Sequence, residues 1–308
     1  MGIHSLNRLL KTVCSTGIQK INLSSISGKT IVIDTSIYMY RFKIENCLIE
    51  NFYLLCSIFK KHDITPIFCF DGKPGKEKNT ELEKRRNEKR NAEKEYNKLS
   101  NILKKEKDET EVLKLEENLD ILRKKFIKIT KDDIHQVKEL FDAYGVQYVT
   151  AEKEADQLCC SLANQSDIYG CLSEDMDMFV YGCKRVFRYI SLMNHTILEY
   201  TFETILKELD VTFEDFQTIC MLAGTDYNKT DNNRTVFYYY KRLQKDEMNT
   251  LDINYNELQE IRKLFDIDHN LTDFEVNNDT PIKYKVLYSI LEKDNFIITE
   301  NDKLKNVE

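Results

Sequence analysis

Residues 167–182 read DIYGCLSEDMDMFVYG, a short apolar run closed by two acidic side chains two residues apart, Asp175 and Asp177. A run this short and apolar predicts a buried strand, and strands covered on both faces belong to parallel sheets. Working outward, the same device recurs. Asp34 closes TIVID at residues 30–34, and Asp71 closes PIFCFD at residues 66–71. Glu154 and Asp156 follow VQYVT, and Asp226 follows the helical ICMLAGTD. In a doubly wound α/β sheet, ligands gather beyond the carboxyl ends of the strands, so one cleft can collect these groups. A lone Asp after a strand reads as a helix N-cap, but caps alone do not explain so many.

Converging carboxylates repel one another and call for cations. Oxygen-only donors favour hard ions, Mg²⁺ with Mn²⁺ as a substitute. A pair of such ions ~3.5–4 Å apart suits in-line displacement at phosphorus. Asp175 and Asp177, two apart in an extended segment, are expected to point to one side. Glu154 and Asp156 are expected at a helix start, where the macrodipole offsets part of their charge.

Composition excludes several classes. The chain has 308 residues and is 42% hydrophobic, enough for a sizeable core and too much for a disordered protein. No apolar run approaches the ~18 residues that span a bilayer, and no secretory leader pattern opens the chain. The myristoylation pattern fails at Leu6. The nine cysteines show no zinc spacing and read as reduced core residues of an intracellular protein. No Ser/His/Asp set or phosphate-binding glycine loop competes for the chemistry. The net charge of −7 is unevenly spread: residues 73–98 hold ten Lys/Arg against six Asp/Glu, and residues 201–308 hold 13 against 22. A polyanion would meet the first region.

Four segments follow from the pattern. Residues 1–75 and 131–227 alternate helices and strands. Residues 76–130 are charged and helix-forming, with a hairpin tip near Lys104–Thr110; taken alone they read as a solvated helix pair. Residues 228–308 are helical, rich in Asn and Asp, and without glycine. Lys78 and Arg85 lie seven apart, about two helical turns, so a continuous helix puts both on one face, roughly 10 Å apart.

These motifs closely resemble the flap endonuclease branch of the XPG-type structure-specific 5′ nucleases. MGIHSLNRLL, IVIDTSIYMY, FDGKPGKEKNTELEKRR, GVQYVTAEKEAD, SEDMDMFVYG and LAGTDYN are similar to its successive signatures, in order, over residues 1–227. The resemblance implies a PIN-like twisted, mainly parallel sheet between helices, a helical arch over residues 76–130 and a C-terminal helical DNA-binding region. It assigns metal roles to Asp34, Asp71, Glu154, Asp156, Asp175, Asp177 and Asp226. It assigns catalytic contacts with the scissile phosphate to the arch cations Lys78 and Arg85. DNA contacts are expected from Gly2, from Tyr40 as a base-stacking ring, from Lys84, Arg86 and Lys89, and from Arg234, Lys241 and Arg242. The arch becomes a gate for a free 5′ end.

The implied function is Mg²⁺-dependent cleavage of flapped or branched DNA in replication, repair or recombination, with replication or recombination proteins as further partners. The alternatives are a 5′→3′ exonuclease, a junction or gap nuclease, a ribonuclease of a related fold, or a non-catalytic factor that binds branched DNA. Asp156 stands where flap endonucleases usually carry Glu; the sister exonucleases often have Asp there. NKTDNNRTVFYYYKRL lacks the glycines of the family's helix–two-turn–helix, so its duplex grip and bound K⁺ are not carried over. No sliding-clamp peptide is recognisable. Abundant Asn, Ile and Lys suggest a shortened homologue from an AT-rich genome such as a large DNA virus. The expected compartment is nuclear or cytoplasmic, the latter for a virus replicating there.

Overall fold

A computed structural model describes residues 2–3, 5–73, 75, 79–104, 106, 108–228, 234–267, 276 and 280–292, without the side chains of residues 79–81 and 109. The strands are β1 (Ile18–Asn22), β2 (Thr30–Asp34), β3 (Thr65–Phe70), β4 (Gln147–Thr150), β5 (Gly170–Leu172), β6 (Arg185–Ser191) and β7 (Thr196–Thr201). They form one sheet in the order β1-β7-β6-β5-β2-β3-β4. The five strands from β6 to β4 are parallel, and β7 runs antiparallel to both β6 and β1. From β2 the chain steps outward through β3 to β4, then crosses back so that β5 pairs with the other side of β2. The topological switch point lies between β2 and β5, and Asp34 stands at its edge.

The alternation of side chains along each strand feeds two cores. One face carries Val32, Ile67, Cys69, Cys171 and Val186 against α1 (Leu6–Val13), α7 (Ala155–Ala163), α9 (Phe202–Leu209) and α10 (Phe213–Ala223). The other carries Ile31, Ile33, Phe68, Leu172 and Phe187 against α2 (Thr35–Ile44), α3 (Leu48–Lys61) and α6 (Lys131–Tyr144). All nine cysteines are free and eight are buried, in keeping with the reduced-core reading. Burial pushes the Cys171 thiol up to about 12, so it packs as a neutral apolar group.

Between β3 and α6 the chain leaves the core as an antiparallel helical pair, α4 (Asn79–Leu103) and α5 (Glu109–Phe126). The turn between them falls where the charged, apolar-poor tip was expected. Asp108 starts α5 by accepting the N–H groups of Thr110 and Glu111. Among the described residues of the pair, only Ala92, Leu119 and Leu122 are buried apolar side chains.

The C-terminal helices close on both faces of the sheet. α11 (Val236–Gln244) and α12 (Tyr255–Leu264) bury Val236, Tyr239, Leu258 and Ile261 in the first core. α13 (Tyr284–Glu292) buries Leu287 and Leu291 in the second, with the Lys283 N–H donating to the Ala143 carbonyl at 2.7 Å. No described helix is long and apolar enough to cross a membrane.

Candidate active site

The switch point collects the carboxylates through local backbone chemistry. Asp34 is 3% exposed, accepts the Ser36 N–H at 3.2 Å as the N-cap of α2, and accepts the Ser173 hydroxyl at 3.2 Å. Ser173 also accepts the Asp175 N–H at 3.1 Å, so one hydroxyl links the ends of β2 and β5. Burial first, then the negative charges of Asp71 and Asp175, push the Asp34 carboxyl up to about 7.

Asp175 and Asp177 do face one place, but not by strand alternation as the sequence suggested. β5 ends at Leu172, and Asp177 opens the short helix α8 (Asp177–Val180), so the extended segment needed for that argument is absent. A turn does the work instead: the Asp177 N–H donates to the Asp175 carboxylate at 3.0 Å. Gly2, with φ +79°, presses against this turn, and any Cβ there would collide with both carboxylates. Arg188 fastens the neighbouring start of α1. It is 4% exposed, donates to the Glu174 carbonyl at 2.7 Å and donates to the Asn7 side-chain oxygen at 3.0 Å.

Asp71 reaches the next strand end through Gly72. A Cβ at Gly72 would overlap the Ala151 and Glu152 carbonyls, and only its absence lets the Gly72 N–H donate to Lys153 at 2.6 Å. The Asp71 carboxylate then accepts the Ala155 N–H at 2.8 Å, in the first turn of α7. Glu154 is the N-cap of that helix and Asp156 lies in its first turn, both at the expected helix start. The Tyr227 hydroxyl donates to Glu154 at 3.2 Å. Asp226 sits in a turn pinned by Asn228, whose side chain accepts the Thr225 N–H at 3.0 Å and donates to the Met221 carbonyl at 2.7 Å.

α4 crosses this end of the sheet with its cations sorted by face. Arg85 donates to Asp226 at 2.9 Å. One turn on, Lys89 lies 4.7 Å from the centre of the Tyr40 ring and donates to the Ile127 carbonyl at 3.1 Å. The intervening Arg86 and the adjacent Lys84 are exposed, as helical spacing requires. Lys78 lies outside the described residues, so its shared face with Arg85 is not on view. Tyr40 is 38% exposed. The C-terminal cations behave differently. Arg234 and Arg242 both lie over Tyr238, at 5.2 and 5.4 Å, and Arg242 also pairs with Glu247 at 2.9 Å. Lys241 is exposed.

Among the described residues no three carboxylates close on one point as a ready-made ion cage. The donor set nevertheless suits a hard cation: it is all oxygen, and after burial the charges of Asp71 and Asp175 raise the Asp34 carboxyl, a repulsion that a cation would relieve. Sequence reasoning missed Ser173, Tyr181 and Tyr227 as functional neighbours. The first lies inside the quoted acidic stretch and the last follows Asp226 directly; only their contacts with other strand ends give them a role.

Carboxylates gathered at the switch point of a mainly parallel sheet, with a basic helix reaching over them, place the chain among α/β folds of the 5′-nuclease type. The XPG N-terminal domain matches residues 1–92 and the XPG I-region residues 145–226. The chain belongs to the XPG family. It is 29% identical to flap endonuclease 1 of Xenopus tropicalis over 249 residues, 75% of this chain and 62% of that protein. The chain therefore matches about three fifths of the length of that relative. The fold is similar to the catalytic core of Rad2 in complex with DNA substrate, with a TM-score of 0.65 and 20% identity over 95% of this chain and 94% of that one. Flap endonuclease-1 of Methanococcus jannaschii is similar at a TM-score of 0.63 and 21% identity, covering 93% of each chain.

Proposed function

We propose that this protein is a divalent-cation-dependent structure-specific 5′ nuclease that hydrolyses DNA phosphodiesters at flaps and free 5′ ends. The observation that carries the reading is the Arg85–Asp226 contact, in which a cation of α4 meets one of the acidic residues that would serve the metal. Asp34, Asp71, Glu154, Asp156, Asp175, Asp177 and Asp226 would hold Mg²⁺ or Mn²⁺, directly or through water. Bound as a pair, such ions supply Lewis-acid activation of water and charge stabilisation of the leaving oxygen.

The chain's own residues do the remainder. Arg85, together with Lys78, holds the phosphodiester against the acidic cleft, and Gly2 keeps the approach free of a side chain. Tyr40 offers its ring to a base, a contact worth ~1–3 kcal/mol where measured. Lys84, Arg86 and Lys89 steer the backbone of a threading 5′ strand, and the exposed Lys241 with Arg234 and Arg242 meets the duplex. Among the related solved structures, Rad2 cores are held with DNA substrate and human GEN1 with Holliday junction DNA. Those partners support branched DNA as the substrate class here.

The test is cleavage of a 5′-labelled flap by purified protein in Mg²⁺, beside Asp177→Asn and beside nicked, blunt and single-stranded DNA. A cut near the junction, reduced on the order of 10²–10³-fold in the variant, is expected, the scale for removing one group that stabilises transition-state charge. Mononucleotide release from nicks or blunt ends would instead identify a 5′→3′ exonuclease. Binding without cleavage of any substrate would refute the enzymatic reading.

A further inference from the structure

The Glu154 side chain is tied to a pair of phenols. Tyr227 donates its only hydroxyl proton to the Glu154 carboxylate, 3.2 Å away. The Tyr181 hydroxyl lies 2.8 Å from the Tyr227 oxygen. An ionised carboxylate accepts and never donates, so proton bookkeeping orders the chain: Tyr181 donates to Tyr227, and Tyr227 donates to Glu154. Burial holds the Tyr181 phenol far above its ordinary value, so it stays a donor at any working pH. Tyr181 is 4% exposed and directly follows α8, the helix that Asp177 opens. The pair thus joins the β4 exit, the β5 exit and the turn bearing Asp226.

What holds the two phenols together comes from far along the chain. Phe265, at the C-terminus of α12, is 2% exposed, with its ring 4.9 Å from Tyr181 and 5.1 Å from Tyr227. The neighbouring Leu264 carbonyl accepts from Gln157, one residue after Asp156, at 3.1 Å. The C-terminal helices therefore touch the site directly, besides any role in holding duplex.

We infer that Tyr227 is a positioning residue for Glu154 and that Phe265 sets that contact, which couples the C-terminal helices to cation binding. The inference rests on the proposal that Glu154 serves a divalent ion. A fixed hydrogen bond to one carboxylate oxygen sets the plane of the carboxylate and the direction of its lone pairs. Loss of such an outer partner typically weakens metal binding by ~10–100-fold.

The experiment is Mn²⁺ binding to the DNA-free, full-length protein, read by electron paramagnetic resonance, with thermal unfolding and flap cleavage alongside. Tyr227→Phe keeps the ring and should weaken Mn²⁺ binding by about 10-fold or more. Phe265→Ala, or Phe265→Leu where alanine does not fold, should weaken it in the same direction. Neither change at Phe265 should weaken it further in the Tyr227→Phe background. Unchanged Mn²⁺ affinity in Tyr227→Phe, with only a lower melting temperature, would reduce the hydroxyl to a structural role and overturn the inference. Additive losses would overturn the coupling through Tyr227. Wild-type protein that binds Mn²⁺ but cuts no DNA would sink the nuclease reading and leave the positioning result to stand or fall on the titrations. Wild-type protein that binds no Mn²⁺ overturns the inference.

Discussion

Phe68 in β3 is fully buried, stacked 4.1 Å from Phe141 with Phe52 edge-on at 5.9 Å, whereas Leu113 on α5 is 65% exposed. The two residues stand for two kinds of structure. The sheet is held by apolar burial on both faces, and its carboxyl edge inherits that rigidity. The α4–α5 pair has three described buried apolar side chains, a Tyr96–Phe126 contact between its helices, and exposed charge pairs such as Lys114–Glu111 within α5. Exposed ion pairs contribute ~0–1 kcal/mol each. The lesson is a division of labour: the carboxylates sit at the edge of the part buried on both faces, and the cations of α4 sit on the part with fewer described buried apolar side chains.

The largest break in this comparison is expected from Phe68→Ala. It should cost about 3–5 kcal/mol of global stability, measured by urea unfolding. Leu122→Ala should lower hydrogen-exchange protection in α4 and α5 while leaving protection in β2 and β3 unchanged. A global loss from Leu122→Ala as large as that from Phe68→Ala would mean that the hairpin and the sheet unfold as one unit.

Arg85→Ala tests the junction between the two regions. Flap cleavage should fall on the order of 10²-fold, the scale expected when a reacting phosphate is misplaced by about an ångström. The melting temperature should barely move, because the pair with Asp226 is part-exposed. A stability loss with normal cleavage would make the contact a structural tie rather than a substrate contact.

The smallest effect lies on the core side, away from the site. Glu208 on α9 accepts the N–H groups of Ser15, Thr16 and Gly17 at 3.0, 2.9 and 2.8 Å. Its carboxyl is held at about 2, against an ordinary 4.5, chiefly by the Thr16 backbone bond and then that of Gly17. Between those values the unfolded chain takes up a proton that the folded one refuses, so this contribution is present above about 4.5 and is lost as pH falls towards 2. Glu208→Gln should flatten that part of the acid-unfolding curve without altering cleavage at neutral pH. An unchanged acid limb would show that the three N–H groups do not hold the carboxylate in solution.

Much of this was written locally. TIVID, PIFCF and YGCL are apolar at every turn of the pleat, so they are strands covered on both faces wherever they are placed. A carboxylate following each one lands at the same end of a parallel sheet. The change after Gly75 to a charge-rich, helix-forming stretch likewise marked the hairpin, because a segment that cannot bury two faces has to leave the sheet. The route by which Asp175 and Asp177 converge was not legible. It depends on a turn in which Asp175 donates to the neighbouring Ser173 and Asp177 to Asp175, and which Asp34 and Gly2 brace from other elements.

By itself, then, the sequence determined the apolar strands of the parallel sheet, though not the half-exposed β1, together with the acidic strand ends and the cationic hairpin, since periodicity and local charge act over a few residues. Only the tertiary structure decided that Arg85 would meet Asp226, 141 residues away, and that Arg234 and Arg242 would lie on Tyr238 rather than at the acidic cleft. It also decided that Phe265 would wedge the phenols behind Glu154. The physical reason is the same in each case. Such contacts arise from which faces are left to be buried after the sheet has closed, and no short stretch of chain contains that information.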